Sequence, residues 1–169
     1  ASATTPNPAV TSGTVTDTFT SGTATLAKYV RVVSPTPPVG TGTPYIYNLI
    51  NYYPSGITAK PGETLEYILV ATNSGSGPVT ASVVTDALPI SYVALRLNAY
   101  APTREITYVS DTNVTTTYSA ASDADQASYV PATGMLTVYV GTGATNAAGG
   151  SIPGNNSHVL VLYQVTVNP

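Results

Sequence analysis

The sequence predicts an all-β fold, an immunoglobulin-like (or jelly-roll-like) two-sheet sandwich with an extra N-terminal strand and almost no helix. Three observations predict it. Apolar residues recur at every second position, and no stretch has a helical period. The 14 glycines and 14 prolines stand mostly between strand-like runs, a spacing typical of sandwiches and barrels. The chain is also rich in Thr, Val and Tyr, which favour strands.

Charge and cysteine content exclude several classes of function. Only 8% of the 169 residues are charged, against about a quarter in an average protein. The net charge is −3, and the five basic residues are scattered, so a nucleic-acid surface is excluded. The absence of Cys excludes disulfides, cysteine-ligated metals and thiol catalysis. No apolar run reaches the length of a membrane span.

The N-terminal segment predicts a separate element. We divide the chain into an extension over residues 1–25 and a single β-sandwich domain over residues 26–169. Within the extension, residues 14–20 alternate between a threonine face and a face that carries Val15, Asp17 and Phe19. An almost uncharged strand of this kind is prone to pair with any open sheet edge. The candidate donor-strand residues are Thr14, Val15, Thr16, Thr18, Phe19 and Thr20.

The strands of the sandwich follow from alternation bounded by turn residues. Residues 64–72 are apolar on both faces, which predicts a central strand. The prolines of residues 34–44 predict a loop there. Small or polar residues predict two more loops, over residues 119–128 and 141–156. The predicted strands cover residues 26–33, 45–53, 64–72, 79–86, 92–100, 106–109, 114–118, 135–140 and 158–168.

One stretch carries a family resemblance. Residues 60–89 read KPGETLEYILVATNSGSGPVTASVVTDALP: a Pro-Gly turn, a strand ending in Thr-Asn, a Gly-rich turn, and a second strand ending in Thr-Asp before Leu-Pro. This pattern resembles the repeat domains of bacterial and archaeal surface proteins known as domain of unknown function eleven. The resemblance covers about 30 residues, with the last strand and Lys28 also in place. It implies an immunoglobulin-like sandwich with a structural role at the cell surface and no catalytic residues.

The same residues have a direct physical interpretation. Pro61 and Gly62 suit the central positions of a type II turn, where the second residue needs a positive φ. Asn73 can bond the backbone that follows it and so end its strand. Pro89 stops strand pairing.

Candidate ligand sites are few. Asp111, Asp123 and Asp125 are candidate Ca²⁺ ligands, because Ca²⁺ takes several oxygen ligands from flexible loops; the alternative is an exposed acidic loop. No other cofactor is predicted. His158 is the only histidine, and no nucleophile motif accompanies it, so we expect no enzymatic activity. Asn113 and Asn155 begin N-glycosylation sequons and predict surface loops.

Tyrosine is the most unusual feature of the composition, with 13 copies. Tyr45, Tyr47, Tyr52 and Tyr53 cluster within nine residues. Tyrosine is enriched at protein interfaces, so we interpret the cluster as an aromatic packing interface. The alternative is a platform on which sugars stack.

These observations favour a secreted structural subunit that self-assembles into an extracellular filament or matrix. Its N-terminal strand would insert into the sheet of the neighbouring subunit, as in donor-strand pili and biofilm fibres. The start Ala1-Ser2-Ala3 is typical of a chain after signal-peptide removal, so we expect a cell-surface location. The expected partner is the chain itself, with surface components or glycans as further partners and no membrane insertion. The alternatives are a surface-layer or adhesin domain and a carbohydrate-binding module.

Overall fold

The computed structural model describes residues 21–34 and 36–169, and every regular element within these ranges is a β-strand. The architecture confirms the all-β sandwich. The strands of this part of the chain are β1 Ala24–Val32, β2 Tyr45–Tyr47, β3 Ile50–Tyr52, β4 Thr64–Asn73, β5 Val79–Ala87, β6 Val93–Leu95, β7 Ile106–Val109, β8 Thr115–Tyr118, β9 Ala127–Val130, β10 Met135–Tyr139, β11 Gly150–Ile152 and β12 Ser157–Val167.

The first sheet has the antiparallel order β1-β4-β12-β7-β8, and β6 also pairs with β12. Strand β4 lies between β1 and β12, which confirms the central position predicted for residues 64–72. Strands β7 and β6 follow one another along β12, because Leu160 to Tyr163 pair with β7 and Val165 to Val167 pair with β6.

The second sheet has the pairing order β11-β5-β10-β9. Its inward residues pack on those of the first sheet and form the main core. Leu136 and Val138 of β10 and Val161 of β12 are completely buried there. Where the two sheets face each other, the apolar side chains between them are removed from water. This burial makes the largest favourable contribution to the stability of a sandwich.

A β-hairpin made of β2 and β3 covers the outer face of the first sheet. Tyr52 packs there in one cluster with Ile68 of β4 and Leu160 of β12. Strand β12 is therefore buried on both faces over most of its length. This explains why its outward positions, such as Leu160 and Leu162, are as apolar as its inward ones.

Three sequence predictions need correction. Residues 45–53 do not form one strand, because Asn48 and Leu49 have φ values of 49° and 64° and turn the chain into the β2–β3 hairpin. The strand predicted over residues 92–100 ends at Leu95. The loops predicted over 119–128 and 141–156 contain the first two residues of β9 and all of β11, and strands of four and three residues are too short to show a clear period.

The boundary between the N-terminal extension and the sandwich also differs from the predicted one. Ala24 and Thr25, which the sequence assigns to the extension, pair with Asn73 and Thr72 as the first residues of β1. The sandwich therefore begins before residue 26.

Candidate functional site

Asn73, at the end of β4, organises the pole of the sandwich where the N-terminal segment enters. Its side chain is fully buried, with 0% exposure. Its Oδ1 accepts the N–H of Thr23 at 3.0 Å and that of Gly75 at 3.1 Å. Its Nδ2 donates to the carbonyls of Gly77, Ile152 and Pro153 at 2.8, 3.0 and 3.1 Å. One amide thus joins three segments that are distant in sequence.

The entering segment is held along its backbone. The N–H of Ser74 donates to the carbonyl of Thr23 at 2.9 Å, and the N–H of Gly77 donates to the carbonyl of Ser21 at 3.0 Å. Gly22 lies so close to the next strand that a Cβ there would stand 2.6 Å from Val79 Cγ2. The φ of Gly22 lies outside the left-handed region, which a two-residue hairpin turn would require of it. Residues 21–23 therefore continue the line of β1 rather than turning back onto it.

Two apolar grooves open between the sheets. The β1–β5 groove has a volume of about 300 Å³ and lies beside the entry pole, lined by Ala24, Leu26, Ala71, Val79, Val83 and Ile152 among others. The β6–β9 groove is larger, about 710 Å³, and is lined by Ile90, Val93, Leu95, Leu97, Tyr129 and Pro131 with three alanines. The side chains that line the β6–β9 groove carry no charge.

The β6–β9 groove lies at the opposite end of the molecule from the entry pole. Asn73 pairs with Ser157 at the start of β12, whereas Leu95 pairs with Val165 near its end. Eight residues of strand separate the two positions, or about 26 Å. The rim of this groove is exposed: Leu97 has 69% and Ile90 has 40% of its surface accessible. Leu97 falls within the strand predicted over residues 92–100 but lies beyond the end of β6, and its exposure is visible only in the fold.

The tyrosine cluster packs on its own sandwich. Tyr52 is 1% exposed, and its hydroxyl donates to Glu66 at 2.7 Å. Tyr45 and Tyr47 are half-buried on β2, and the Tyr45 ring lies 5.6 Å from that of Tyr29. Tyr53 is half-buried and exchanges two backbone hydrogen bonds with Val30 of β1. The expectation that Tyr52 serves an intermolecular interface or a sugar platform is therefore wrong, because the hairpin encloses it.

Beneath this hairpin lies a polar network that the sequence does not reveal. Glu66 is 4% exposed, and its carboxylate accepts hydrogen bonds from Arg31, Tyr52, Tyr100 and Gln164 at 2.7 to 3.0 Å. Arg31 also pairs with Glu66 at 2.6 Å through its second nitrogen. A small cavity of about 360 Å³ adjoins this network. Charged groups are rarely buried without partners, and this one is fully satisfied.

The partners of Glu66 control its protonation. Burial alone would raise the pKa of the Glu66 carboxyl, but hydrogen bonds from Gln164 and Tyr52 and the charge of Arg31 outweigh it, so the pKa lies below its ordinary value. Burial raises the pKa of the Tyr52 and Tyr100 hydroxyls, and the neighbouring carboxylate adds to the effect. The network therefore combines an ionised carboxylate with neutral tyrosines at neutral pH.

The three candidate calcium ligands are not brought together. Asp111 lies in the turn after β7, whereas Asp123 and Asp125 lie in the loop before β9. The Asp123 carboxylate accepts the Ser119 hydroxyl at 2.6 Å and the Asp125 N–H at 2.8 Å, which lowers its pKa. Asp125 accepts the N–H groups of Ser119 and Ala127. Within residues 21–34 and 36–169, no three acidic or histidine side chains form a metal-ligating group, so the three candidates do not share one site in this structure.

The remaining predicted residues lie on the surface. Asn113 is exposed in the β7–β8 turn, and Asn155 is exposed in the turn before β12; both have positive φ values, of 61° and 63°. His158 is exposed near the start of β12, opposite Thr72. The donor-strand residues Thr14, Val15, Thr16, Thr18, Phe19 and Thr20 lie outside the described residues. No helix of the described ranges has the length and hydropathy to cross a membrane.

Sequence reasoning missed the β6–β9 groove and the hydrogen bonds of Asn73 to distant carbonyls. An Asn directly after a strand indicates a turn. No neighbouring residue in the sequence indicates the distant carbonyls to which Asn73 donates. Comparison of the chain with protein-family models, with curated proteins and with solved structures found no match.

Proposed function

We propose that this chain is a secreted structural subunit that assembles into an extracellular filament or matrix, each N-terminal strand completing the sheet of the next subunit. The observation that carries the proposal is the path of residues 21–23. They are bonded to the turn at residues 74–77 and continue the line of β1 past the pole. Residues 14–20, the candidate donor strand with Val15 and Phe19, precede them directly in the sequence.

The path supports donation to a neighbour rather than pairing within the same chain. Gly22 lacks the positive φ of a type I′ turn that would return the chain onto β1 at Ser21 and Gly22, which supports an onward path for the segment. A nearly uncharged segment that formed an unpaired strand would be an aggregation hazard, which insertion into a neighbouring sheet removes. A contact between opposite poles is heterologous and propagates into a fibre.

The test compares three proteins by light scattering and electron microscopy: the full chain, a variant that lacks residues 1–20, and Phe19→Asp. The shortened variant keeps residues 21–169 and with them every bond of the entry pole. We expect filaments from the full chain and monomers from the other two, while the control Thr18→Ser assembles normally. Filaments from the shortened variant would overturn the proposal.

A second candidate is a surface-layer or adhesin domain that pairs its N-terminal segment internally. The geometry of residues 60–89 favours it: Gly62 has a φ of 84°, and Asn73 bonds Gly75 as the surface-domain pattern implies. The open β1–β5 groove beside the entry pole offers a place for such a segment. This candidate predicts a stable monomer for the full chain, so the same size measurement separates the two.

A further inference from the structure

We infer that the β6–β9 groove is the acceptor site for the N-terminal strand of a second copy of this chain, with Val15 and Phe19 filling it. The inference rests on the proposed function and names the surface that receives the strand. It is argued from the edge of β6, the lining of the groove and the reach of the chain.

Strand β6 pairs with β12 along one edge, and among the described residues no strand pairs with its other edge, where the N–H of Val93 is bonded to the Pro89 carbonyl. The N–H of Arg96 donates to the carbonyl of Gln164, and the N–H of Asn168 donates to the carbonyl of Tyr92, so the even-numbered residues face β12. In an antiparallel strand alternate residues direct their N–H and C=O groups to opposite edges. Leu95 therefore presents its N–H and C=O away from β12, where an added strand can pair with them.

The lining of the groove suits Val15 and Phe19, the two apolar residues of a segment face that also carries Asp17 between them. Val93 and Leu95 form its buried floor, and Ile90 and Leu97 form an exposed rim. Covering exposed apolar side chains with Val15 and Phe19 removes them from water, which is favourable in proportion to the area covered. The groove is more than twice the volume of the β1–β5 groove, at about 710 against about 300 Å³.

The N-terminal segment is too short to reach the β6–β9 groove of its own molecule, so the donor strand must come from a second molecule. Val15 stands six residues before Ser21 and so lies at most about 21 Å from it, and Phe19 lies within about 7 Å. The groove is about 26 Å along β12 from the entry pole and three strand spacings across from β1, which combine to about 30 Å. Val15 and Phe19 of the same chain cannot reach it, whereas a neighbour stacked pole to pole brings its entry pole next to it.

The competing acceptor, the β1–β5 groove, predicts a different assembly. It lies at the entry pole itself, because Ala24 lines it and pairs with Asn73. Two copies that exchanged strands there would meet through the same poles and close as a dimer. Donation into the β6–β9 groove joins opposite poles and continues indefinitely.

Disulfide trapping tests the inference, since the chain has no native Cys. Two single variants, Val15→Cys and Leu97→Cys, are mixed before assembly and oxidised. We expect a covalent dimer on a non-reducing gel, which can form only between molecules. The matched control replaces Leu97→Cys with Leu26→Cys, in the β1–β5 groove, and we expect no covalent dimer from it.

A second measurement uses Leu97→Arg and Leu26→Arg, both at exposed positions where the thermal midpoint should stay unchanged. Leu97→Arg should abolish assembly and Leu26→Arg should leave it intact. Loss of assembly in Leu26→Arg but not in Leu97→Arg, together with a covalent dimer between Val15→Cys and Leu26→Cys, would overturn the inference. Strand donation itself would still stand. Filaments from the variant lacking residues 1–20 would instead overturn the proposed function.

Discussion

Asn73 Oδ1 lies 3.0 Å from the backbone nitrogen of Thr23 and accepts its hydrogen bond, so a fully buried amide on β4 holds the segment that precedes β1. The same side chain donates to three carbonyls of two loops. Asn73, with the backbone hydrogen bonds from Ser74 and Gly77, therefore fixes the path of residues 21–23. That path is the basis of the proposed assembly.

Replacing Asn73→Asp should destabilise the protein by at least about 2 kcal/mol, because three buried carbonyls then face a carboxylate oxygen instead of a donor. Urea unfolding measures the change in the free energy of unfolding. Asn51→Asp at an exposed position of β3 is the matched control, with an expected change within about 0.5 kcal/mol. Equal effects at the two positions would contradict the role of Asn73.

Acid should weaken the fold through Glu66. Its pKa is lower in the folded chain than the ordinary value of 4.5, so the folded state binds fewer protons there than the unfolded state does. Stability from this group is present above about pH 4.5 and is lost as the pH falls through the lower folded pKa. The difference in unfolding free energy between the wild type and Glu66→Gln should therefore shrink on acidification. Asp111→Asn, outside the network, should keep the wild-type pH profile.

Loss of the Arg31 side chain tests the same network at neutral pH. Arg31→Ala leaves a buried carboxylate without its countercharge, and breaking a buried pair in this way costs about 3 kcal/mol or more. Chemical denaturation measures the loss. A change within about 0.5 kcal/mol, the range of a surface substitution, would show that the remaining hydrogen bonds suffice.

Alkaline unfolding should begin above the ordinary tyrosine pKa of 10. Burial, with the neighbouring Tyr108 and Asp125, raises the pKa of Tyr118 to about 12. A raised folded pKa means that stability is complete below pH 10 and is lost as the pH rises towards 12. Tyr118→Phe should lose less stability over this window than the wild type, as followed by circular dichroism. Tyr92→Phe, at an exposed position, should behave as the wild type.

Calcium should have no effect on stability. The carboxylates of Asp123 and Asp125 already accept hydrogen bonds from their own loop, and Asp125 pairs with Arg104 at 3.3 Å. Asp125→Asn should lower the free energy of unfolding by about 1 kcal/mol equally with Ca²⁺ and with a chelator. A rise in the thermal midpoint of the wild type with Ca²⁺, lost in Asp125→Asn, would restore the metal site.

Much of the fold was predictable from the sequence because its signals are local. Alternation, turn residues and proline positions are read within a few residues, and they located β1, β4, β5, β7 and β12. The turn at Asn73 was predictable for the same reason. Strands β9 and β11 were not, because they are ordered by pairing with β10 and β5 rather than by their own side chains.

The sequence by itself determined the all-β class and the central place of β4. Only the tertiary structure decided that Tyr52 is enclosed by its own sheet, that Glu66 is buried among four partners, and that Leu97 lines an open groove at the far pole. Each of these depends on which strands meet, and strand pairing is set by contacts between residues far apart in the chain.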